Sequence, residues 1–358
     1  MKKKIKKPKV TLINNIKKGF RRIYGNMERP FKPSKKTIKK STSPTVDLLT
    51  TNNICKKFYK RPQLMIEDFE NVKLIDFQSR DGLKLSGLLY TPNKDSNKWV
   101  IACHWFAGHK NWGLHHAKVF AKLGYNIMAF DFRGHGGSQE DSTTMGAKEH
   151  WDLMGAVDWL KANQKIDLLA FMGTSMGAFT VNYCSLKYAD ELKEVNFKFV
   201  VSDCTYGSIF RLLIHVRNIY LWIIPKRRIK NIVKKIIEKH NKKEIEVDFN
   251  QASIFELLRN GYKPQFPTLF LHSKDDKVTP PTDTYELMLE RSKYIEDDHL
   301  VYSFSMHTQG IRYHFKTFNY KIAEFIKKND DEVNFDQIVD EWELLEFNKL
   351  DRLSLKLK

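Results

Sequence analysis

The stretch Leu168-Leu169-Ala170-Phe171-Met172-Gly173-Thr174-Ser175-Met176-Gly177 decides the fold of this chain of 358 residues. It begins as a short apolar run, which is typical of a buried strand, and a segment of helical composition follows it. Ser175 lies between two glycines, and small neighbours tolerate the strained strand-to-helix turn that lifts a serine hydroxyl clear of the backbone. Because Gly-x-Ser-x-Gly also occurs by chance, the prediction depends on partners found elsewhere in the chain.

Strand and helix patterns alternate from about residue 72 onward. Apolar runs that predict strands lie at Val72–Gln78, Leu83–Tyr90, Trp99–Cys103, Ile127–Phe130, Leu168–Met172, Phe197–Ser202, Thr268–Leu271 and Leu300–Phe304. Asp81-Gly82 predicts a hairpin between the first two, and segments of helical length separate most of the others. This alternation predicts a mostly parallel α/β sheet with helices on both faces. Ligands of such sheets bind where the strands end.

Residues at three predicted strand ends suit nucleophilic catalysis. Ser175 follows one strand, Asp275 and Asp276 follow the strand Thr268–Leu271, and His307 follows the last strand. A serine hydroxyl is a poor nucleophile at neutral pH, so it needs an imidazole to take its proton and a carboxylate to orient that imidazole. The chain order serine, acid, histidine is that of the α/β-hydrolases.

Further motifs strengthen this resemblance. They are His104-Trp105-Phe106-Ala107-Gly108, Asp131-Phe132-Arg133-Gly134-His135-Gly136-Gly137-Ser138 and the segment from His272 to Pro280. Over roughly residues 72–327 the chain resembles the α/β-hydrolase family, and more closely its bacterial branch of esterase-like and serine-aminopeptidase-like enzymes. The resemblance implies Ser175 as nucleophile, His307 as base and Asp276 as the orienting acid. Asp275 and Asp203 are the alternative acids.

The same resemblance implies that the backbone N–H groups of Phe106 and Met176 form the oxyanion hole. Trp105 and Ser273 depart from the family pattern, which has glycine at both positions. Glycine at the first position lets the loop turn tightly, so Trp105 requires a different backbone path. His104 and the Asp131–Arg133 segment are expected to be structural. The resemblance implies no metal and no organic cofactor.

Charge divides the chain unevenly. Residues 1–60 hold 19 Lys and Arg against Glu28 and Asp47, which accounts for +17 of the formal net charge of +19. Val10, Ile13, Ile16, Phe20, Ile23 and Tyr24 fall at helical spacing within this basic extension. Such a helix is typical of a surface that binds anionic membranes. A solvated tail and a nucleic-acid contact, which we regard as the weaker case, are the alternatives.

Beyond the extension we expect one domain over residues 61–327. Residues 206–266 exceed an ordinary crossover and predict a helical lid inserted in it, carrying 13 Lys and Arg against 5 Asp and Glu. Residues 328–358 are acidic and predict a terminal helix or tail. The four cysteines form no Cys-x-x-Cys pair, and neither a signal peptide nor a spanning helix is evident. A cytoplasmic location, peripheral on the inner membrane face if the extension binds lipid, is therefore expected.

Together these patterns predict a serine hydrolase that cleaves carboxylic esters of acyl or lipid-like character. Aminopeptidase-like and thioesterase activities on the same residues are the alternatives, because a fold does not determine a substrate. A non-catalytic scaffold that binds membrane or nucleic acid through its basic extension is the alternative from another class. The sequence leaves the oligomeric state open.

Overall fold

In the part of the chain that the structure describes, a central sheet of eight strands forms the middle layer. The computed structural model describes residues 44–220, 224–243 and 247–347. The strands are β1 (Val72–Gln78), β2 (Lys84–Tyr90), β3 (Lys98–Cys103), β4 (Asn126–Phe130), β5 (Leu168–Thr174), β6 (Phe197–Asp203), β7 (Thr268–Ser273) and β8 (Asp298–Tyr302). Their order is β1-β2-β4-β3-β5-β6-β7-β8, with β2 antiparallel to both of its neighbours and the other pairs parallel. The predicted mostly parallel sheet is confirmed.

Helices cover both faces of this sheet. They are α1 (Pro44–Ile54), α2 (Lys110–His116), α3 (Lys118–Lys122), α4 (Glu149–Asn163), α5 (Met176–Lys187), α6 (Ala189–Lys193), α7 (Ile209–Tyr220), α8 (Lys226–Lys243), α9 (Ile254–Arg259), α10 (Pro281–Arg291), α11 (Gly310–Tyr313), α12 (Phe315–Asn329) and α13 (Phe335–Glu341). Within the part of the chain that the structure describes, none is long and apolar enough to span a membrane.

The sheet divides the core into two apolar clusters. On β3, Ile101 and Cys103 belong to one cluster, whereas Val100 and Ala102 belong to the other. Side chains alternate across a strand, so the two clusters lie on opposite faces. The first also contains residues of α4, α5 and α7–α10, and the second contains residues of α1–α3 and α11–α13. Burial on both faces explains why these strands appear as continuous apolar runs.

The parallel strands bring distant loops to one edge of the sheet. Cys103 pairs with Gly173, Thr174 pairs with Asp203, and Ser273 pairs with Tyr302 at the strand ends. The loops that follow β3, β5, β6, β7 and β8 therefore lie side by side. These loops carry Phe106, Ser175, Asp276 and His307, and Met176 begins the helix directly after β5.

The segment predicted as a lid, residues 206–266, is largely helical where the structure describes it. Its helices α7, α8 and α9 bury apolar residues in the cluster that also contains residues of α5. His215 on α7 contacts the loop after β7, with its Nε2 3.2 Å from the Asp276 carbonyl oxygen. The insertion thus packs as part of the body and reaches the predicted acid loop.

The N-terminal boundary differs from the prediction. Leu48 on α1 is buried, and so are Cys55 and Tyr59 in the π-helical turn Cys55–Tyr59 that follows it. The packed body therefore begins before residue 61, because apolar side chains between Leu48 and Tyr59 complete the second cluster. The amphipathic stripe predicted between Val10 and Tyr24 lies outside the described residues.

The acidic C-terminal segment docks on the body. Ile338 on α13 and Trp342 just after it are buried in the second cluster. Asp330, at the start of the segment, accepts hydrogen bonds from Lys98 at 2.8 Å and from the Tyr125 hydroxyl at 2.7 Å. An ion pair with β3 and apolar burial thus hold this segment against the sheet.

Candidate active site

Ser175 occupies a strained turn between β5 and α5. Its φ of +57° and ψ of −111° lie in a region that L-residues rarely adopt. A Cβ on Gly173 would lie 2.3 Å from the Gly177 carbonyl oxygen, and a Cβ on Gly177 would lie 2.3 Å from the Cys103 carbonyl oxygen. Neither position has room for a side chain, so both require glycine. The Ser175 amide donates to the Asp203 carbonyl at 2.8 Å, which ties the turn to β6.

The three residues predicted as a triad form one chain of hydrogen-bond contacts. His307 Nε2 lies 2.8 Å from Ser175 Oγ, and His307 Nδ1 lies 2.6 Å from Asp276 Oδ2. A proton on Nδ1 donates to the carboxylate and leaves Nε2 to accept the serine proton. Ser175 and Asp276 are buried, whereas the His307 side chain is 16% exposed. The serine thus faces a base that solvent can reach.

Asp276 lies in a dense set of donors. Its Oδ1 accepts the Val278 and Thr279 amides at 2.7 and 3.0 Å, and its Oδ2 accepts the Thr279 hydroxyl at 2.8 Å. Burial alone would raise the pKa of this carboxyl, but the charge and hydrogen bonds of His307 and His272 hold it well below its usual range. Asp276 is therefore ionised at neutral pH.

The two alternative acids lie elsewhere. Asp275 is exposed, and its Oδ2 accepts the Phe304 amide at 2.6 Å. Asp203 is fully buried, and its Oδ1 accepts the Tyr302 hydroxyl at 3.2 Å. Burial raises the pKa of Asp203 to about 6. Of the three candidate acids, Asp276 is the one hydrogen-bonded to His307.

The two predicted oxyanion donors lie on neighbouring segments. Met176 is the first residue of α5, where a backbone N–H has no acceptor within its own helix. Gly177, the next residue, packs directly on the carbonyls of Cys103 and His104, where the loop after β3 begins. Phe106 lies there in a turn closed by the Gly108 amide, which donates to the Trp105 carbonyl at 2.8 Å. The turn does not use the Phe106 amide.

The departure at Trp105 has a structural reason. The positive φ of this loop falls on Ala107, at +65°, so position 105 does not need glycine. The Trp105 ring lies 5.2 Å from the His116 ring and 5.5 Å from the Trp112 ring, between centroids. The large side chain therefore packs into an aromatic cluster. At the other departure, the Ser273 hydroxyl donates to the Ser305 carbonyl at 2.7 Å and links the loops after β7 and β8.

His104 and His135 connect the loops around the site. His104 Nε2 accepts the Phe132 amide, and His135 Nε2 accepts the Ala107 amide, both at 3.1 Å. Burial lowers the pKa of His104 to about 3 and also lowers that of His135, so both rings are neutral acceptors. This agrees with the structural role expected of His104.

The charged residues of the Asp131–Arg133 segment are likewise buried in ion pairs. Asp131 pairs with Lys110 at 2.7 Å, and Arg133 pairs with Asp152 at 2.6 Å. Arg133 also contacts Asp81, in the turn between β1 and β2, at 2.8 Å. These contacts hold the segment in place and direct none of its charges toward Ser175.

A cleft beside His307 contains residues that the sequence reasoning missed. It has a volume of about 870 Å³ and is lined by residues of three segments: Phe58, Asp275, Lys277, Val278, Phe304, Ser305, Met306, His307, Gln309, Arg312 and Tyr313. Phe304 and Met306 shortly precede the predicted base in sequence, and apolar residues near a catalytic candidate were an available signal. Phe58 had no such signal, because it lies in the segment assigned to the basic extension.

One buried group has the residue types of a metal site. Ligand atoms of Cys204, His272 and Asp276 all lie within 4.8 Å of one another. Asp276 is already engaged by His307, and His272 Nδ1 lies 2.6 Å from Thr284 Oγ1. Burial raises the pKa of the Cys204 thiol well above its ordinary value, which disfavours the thiolate that binds metals. The group therefore fits packing behind the acid loop better than metal binding.

Comparisons with known proteins agree with this architecture. Residues 94–251 match the model of the family described as serine aminopeptidase, S33. The protein YqkD of Bacillus subtilis is 28% identical over 255 residues, which cover 66% of this chain and 75% of the relative.

Solved structures show the same fold at low identity. The esterase Pf2001 of Pyrococcus furiosus is 21% identical, with a TM-score of 0.58 over 83% of this chain and 99% of that chain. The acylaminoacyl peptidase of Pyrococcus horikoshii is 18% identical, with a TM-score of 0.52 over 78% of this chain and 42% of that chain. The strand order and these structural similarities show that the chain has the α/β-hydrolase fold.

Proposed function

We propose that the protein is a serine hydrolase that cleaves carboxylic esters, with Ser175 as nucleophile, His307 as general base and Asp276 as orienting acid. The observation that carries the proposal is the chain of contacts at 2.8 Å and 2.6 Å that joins these three side chains. Similarity to a hydrolase family supports the reaction class.

The contacts define how each step would proceed. Ser175 Oγ attacks the ester carbonyl while His307 Nε2 takes the hydroxyl proton and then delivers it to the departing alkoxide. Water, activated by the same nitrogen, releases the acid and restores the serine. Asp276, held ionised, stabilises the imidazolium formed in each half of the cycle. The Phe106 and Met176 amides would bind the developing oxyanion, an interaction whose removal costs about 10²–10³ in kcat in other serine hydrolases.

The charges beside His307 favour an ester over an aminoacyl substrate. An aminopeptidase must bind a free ammonium group, and a carboxylate is the natural partner. Among the described residues that line the cleft, the carboxylate is Asp275, which already accepts the Phe304 amide. Lys277 and Arg312 add positive charge to the same lining. We propose an acyl or lipid-like ester, and the apolar residues Phe304 and Met306 suit an apolar part of such a substrate.

Labelling and turnover test the proposal together. A fluorophosphonate reacts only with an activated serine, so it should label the wild-type protein and not Ser175→Ala, and only the wild type should hydrolyse a p-nitrophenyl acyl ester. Ser292→Ala is the matched control, because this exposed serine lies at the end of α10 and donates to the Leu289 carbonyl. Undiminished labelling of Ser175→Ala would reject the nucleophile. Faster turnover of aminoacyl p-nitroanilides or of thioesters than of esters would show that the substrate is an aminoacyl compound or a thioester and not a carboxylic ester.

A further inference from the structure

The cleft beside His307 combines an apolar wall with an unusual cation. Phe58, Phe304 and Met306 are 57%, 65% and 66% exposed, although most large apolar side chains of the described residues are buried. They come from the turn after α1 and from the loop that carries His307. Neighbouring exposed apolar side chains are costly in water and are typical of a binding surface. Here they adjoin the proposed catalytic base.

Arg312, on α11, is stacked on aromatic rings in this cleft. Its guanidinium carbon lies 3.8 Å from the centre of the Phe58 ring and 4.8 Å from that of Tyr313. A guanidinium stacked in this way is fixed in orientation while its N–H groups stay available at the edge of its plane. The stacking therefore prepares a rigid donor group rather than a mobile surface charge.

Arg312 also differs from other arginines of the body in its ion pairs. Arg80, Arg133 and Arg211 each pair with two or more carboxylates, and Arg291 pairs with Asp297. No carboxylate of the described residues lies within 4 Å of the Arg312 nitrogens. A half-buried guanidinium without a carboxylate, at the wall of a cleft, suits an anion supplied by a ligand.

The other charges of the lining agree with this interpretation. Lys277 is exposed on the loop after β7, and Asp275 is engaged by the Phe304 amide. Besides His307, the lining holds two cations, Lys277 and Arg312, against the carboxylate of Asp275. His307 must also deliver a proton to the leaving group, so a cleft that it lines lies on the leaving-group side of the ester.

We propose that this cleft selects esters whose leaving group carries an anionic oxygen group, a carboxylate or a phosphonate-like group, that pairs with Arg312. Phe58, Phe304 and Met306 contact the apolar part of the same substrate. The proposal rests on the proposed function for its reaction and adds the substrate class, an anionic amphiphile.

Matched esters test the selection directly. Octanoyl esters of 4-hydroxybenzoate, 4-hydroxyphenylacetate and 3-(4-hydroxyphenyl)propionate place a carboxylate at increasing reach, and each has a neutral carboxamide counterpart. The octanoyl ester of 4-hydroxybenzylphosphonate distinguishes phosphonate from carboxylate. The wild-type kcat/KM should favour at least one anionic ester over its neutral counterpart by about 10-fold or more, the size of one charge-assisted hydrogen bond.

Variants then assign the preference to Arg312. In Arg312→Gln the ratio of anionic to neutral kcat/KM should fall toward one, and Arg312→Lys should keep part of it. Arg259→Gln, an exposed arginine paired with Glu256 on α9, is the control and should keep the full ratio. If Arg312 only held Phe58 in place, Arg312→Gln would lower both rates and leave the ratio unmoved, which would overturn the proposal.

Two outcomes separate this proposal from the function on which it rests. A wild-type ratio near one for every pair, with good turnover of both esters, would overturn the anion selection and leave the hydrolase intact. If no ester is hydrolysed, the proposed function fails, and calorimetric binding of the same pairs to Ser175→Ala still tests the cleft. Equal affinity for anionic and neutral esters there would reject it.

Discussion

Replacing the acid at position 276 gives the sharpest test of the proposed mechanism. We expect Asp276→Asn to remove most of the turnover while the protein stays folded. The asparagine Oδ1 can still accept the Val278 and Thr279 amides, which hold the native carboxylate at 2.7 and 3.0 Å. Its amide nitrogen must then face His307 Nδ1 in place of the oxygen that lies 2.6 Å away.

The size of the loss follows from this geometry. An amide N–H is a donor, so it favours an unprotonated Nδ1 and puts the imidazole proton on Nε2. His307 Nε2, 2.8 Å from Ser175 Oγ, can then no longer accept the serine proton. The same exchange costs about 10⁴ in kcat in a serine protease triad. We expect a loss of about 10³–10⁴, equivalent to about 4–5.5 kcal/mol of transition-state stabilisation.

Initial rates of p-nitrophenyl butyrate hydrolysis at neutral pH measure the loss, and circular dichroism checks the fold. Asp275→Asn is the matched control, because the asparagine Oδ1 can still accept the Phe304 amide, and its rate should fall by less than about tenfold. An Asp276→Asn variant that keeps more than a tenth of wild-type kcat would refute the role of Asp276. A larger loss in Asp275→Asn than in Asp276→Asn would identify Asp275 as the orienting acid. Small losses in both variants would make Asp203 the remaining candidate.

Four further outcomes follow from the packing and charge. Gly177→Ala should destabilise the fold by at least about 2 kcal/mol in urea unfolding, because the new Cβ would lie 2.3 Å from the Cys103 carbonyl oxygen; a smaller loss would show that the turn can relax. Burial raises the pKa of Asp203 to about 6, so folding takes up a proton between about pH 4 and pH 6. The free energy of unfolding of the wild type should therefore fall by up to about 3 kcal/mol relative to that of Asp203→Asn as pH rises from about 4 to about 7. Urea unfolding at several pH values measures this difference, and a difference that does not change with pH would contradict the prediction. Removing residues 1–43 should leave hydrolysis of a soluble ester intact, whereas removing 1–60 should abolish folding, because α1 and the turn after it belong to the core; circular dichroism and turnover compare the two truncations. If the basic extension binds lipid, the full chain should sediment with anionic vesicles at low salt and the 44–358 chain should not; binding retained by the truncated chain would move the contact to the insertion.

Much of the fold could be predicted from local patterns alone. A strand buried on both faces, such as β5, needs an unbroken apolar run, and that requirement is visible in Leu168–Met172 without any partner. The turn after β5 is so closely packed that positions 173 and 177 accept only glycine. The Gly-x-Ser-x-Gly motif around Ser175 is therefore a steric requirement that can be seen in the sequence. Chain order along a parallel sheet then indicates which loops share an edge. For these reasons the sequence determined the fold class and the candidate residues Ser175, Asp276 and His307.

Only the tertiary structure decided which neighbours these candidates have. Asp275 and Asp276 are adjacent in sequence, and the register of β7 and β8 determines which carboxylate meets His307. Phe58 and Arg312 are 254 positions apart, and their contact depends on docking of the turn after α1. The charge distribution placed that turn in the basic N-terminal extension. Periodicity and charge describe single segments, whereas a cleft forms where several segments meet. Contacts between distant segments leave no signal in a local sequence pattern. The lining of the cleft therefore became visible only in the folded structure.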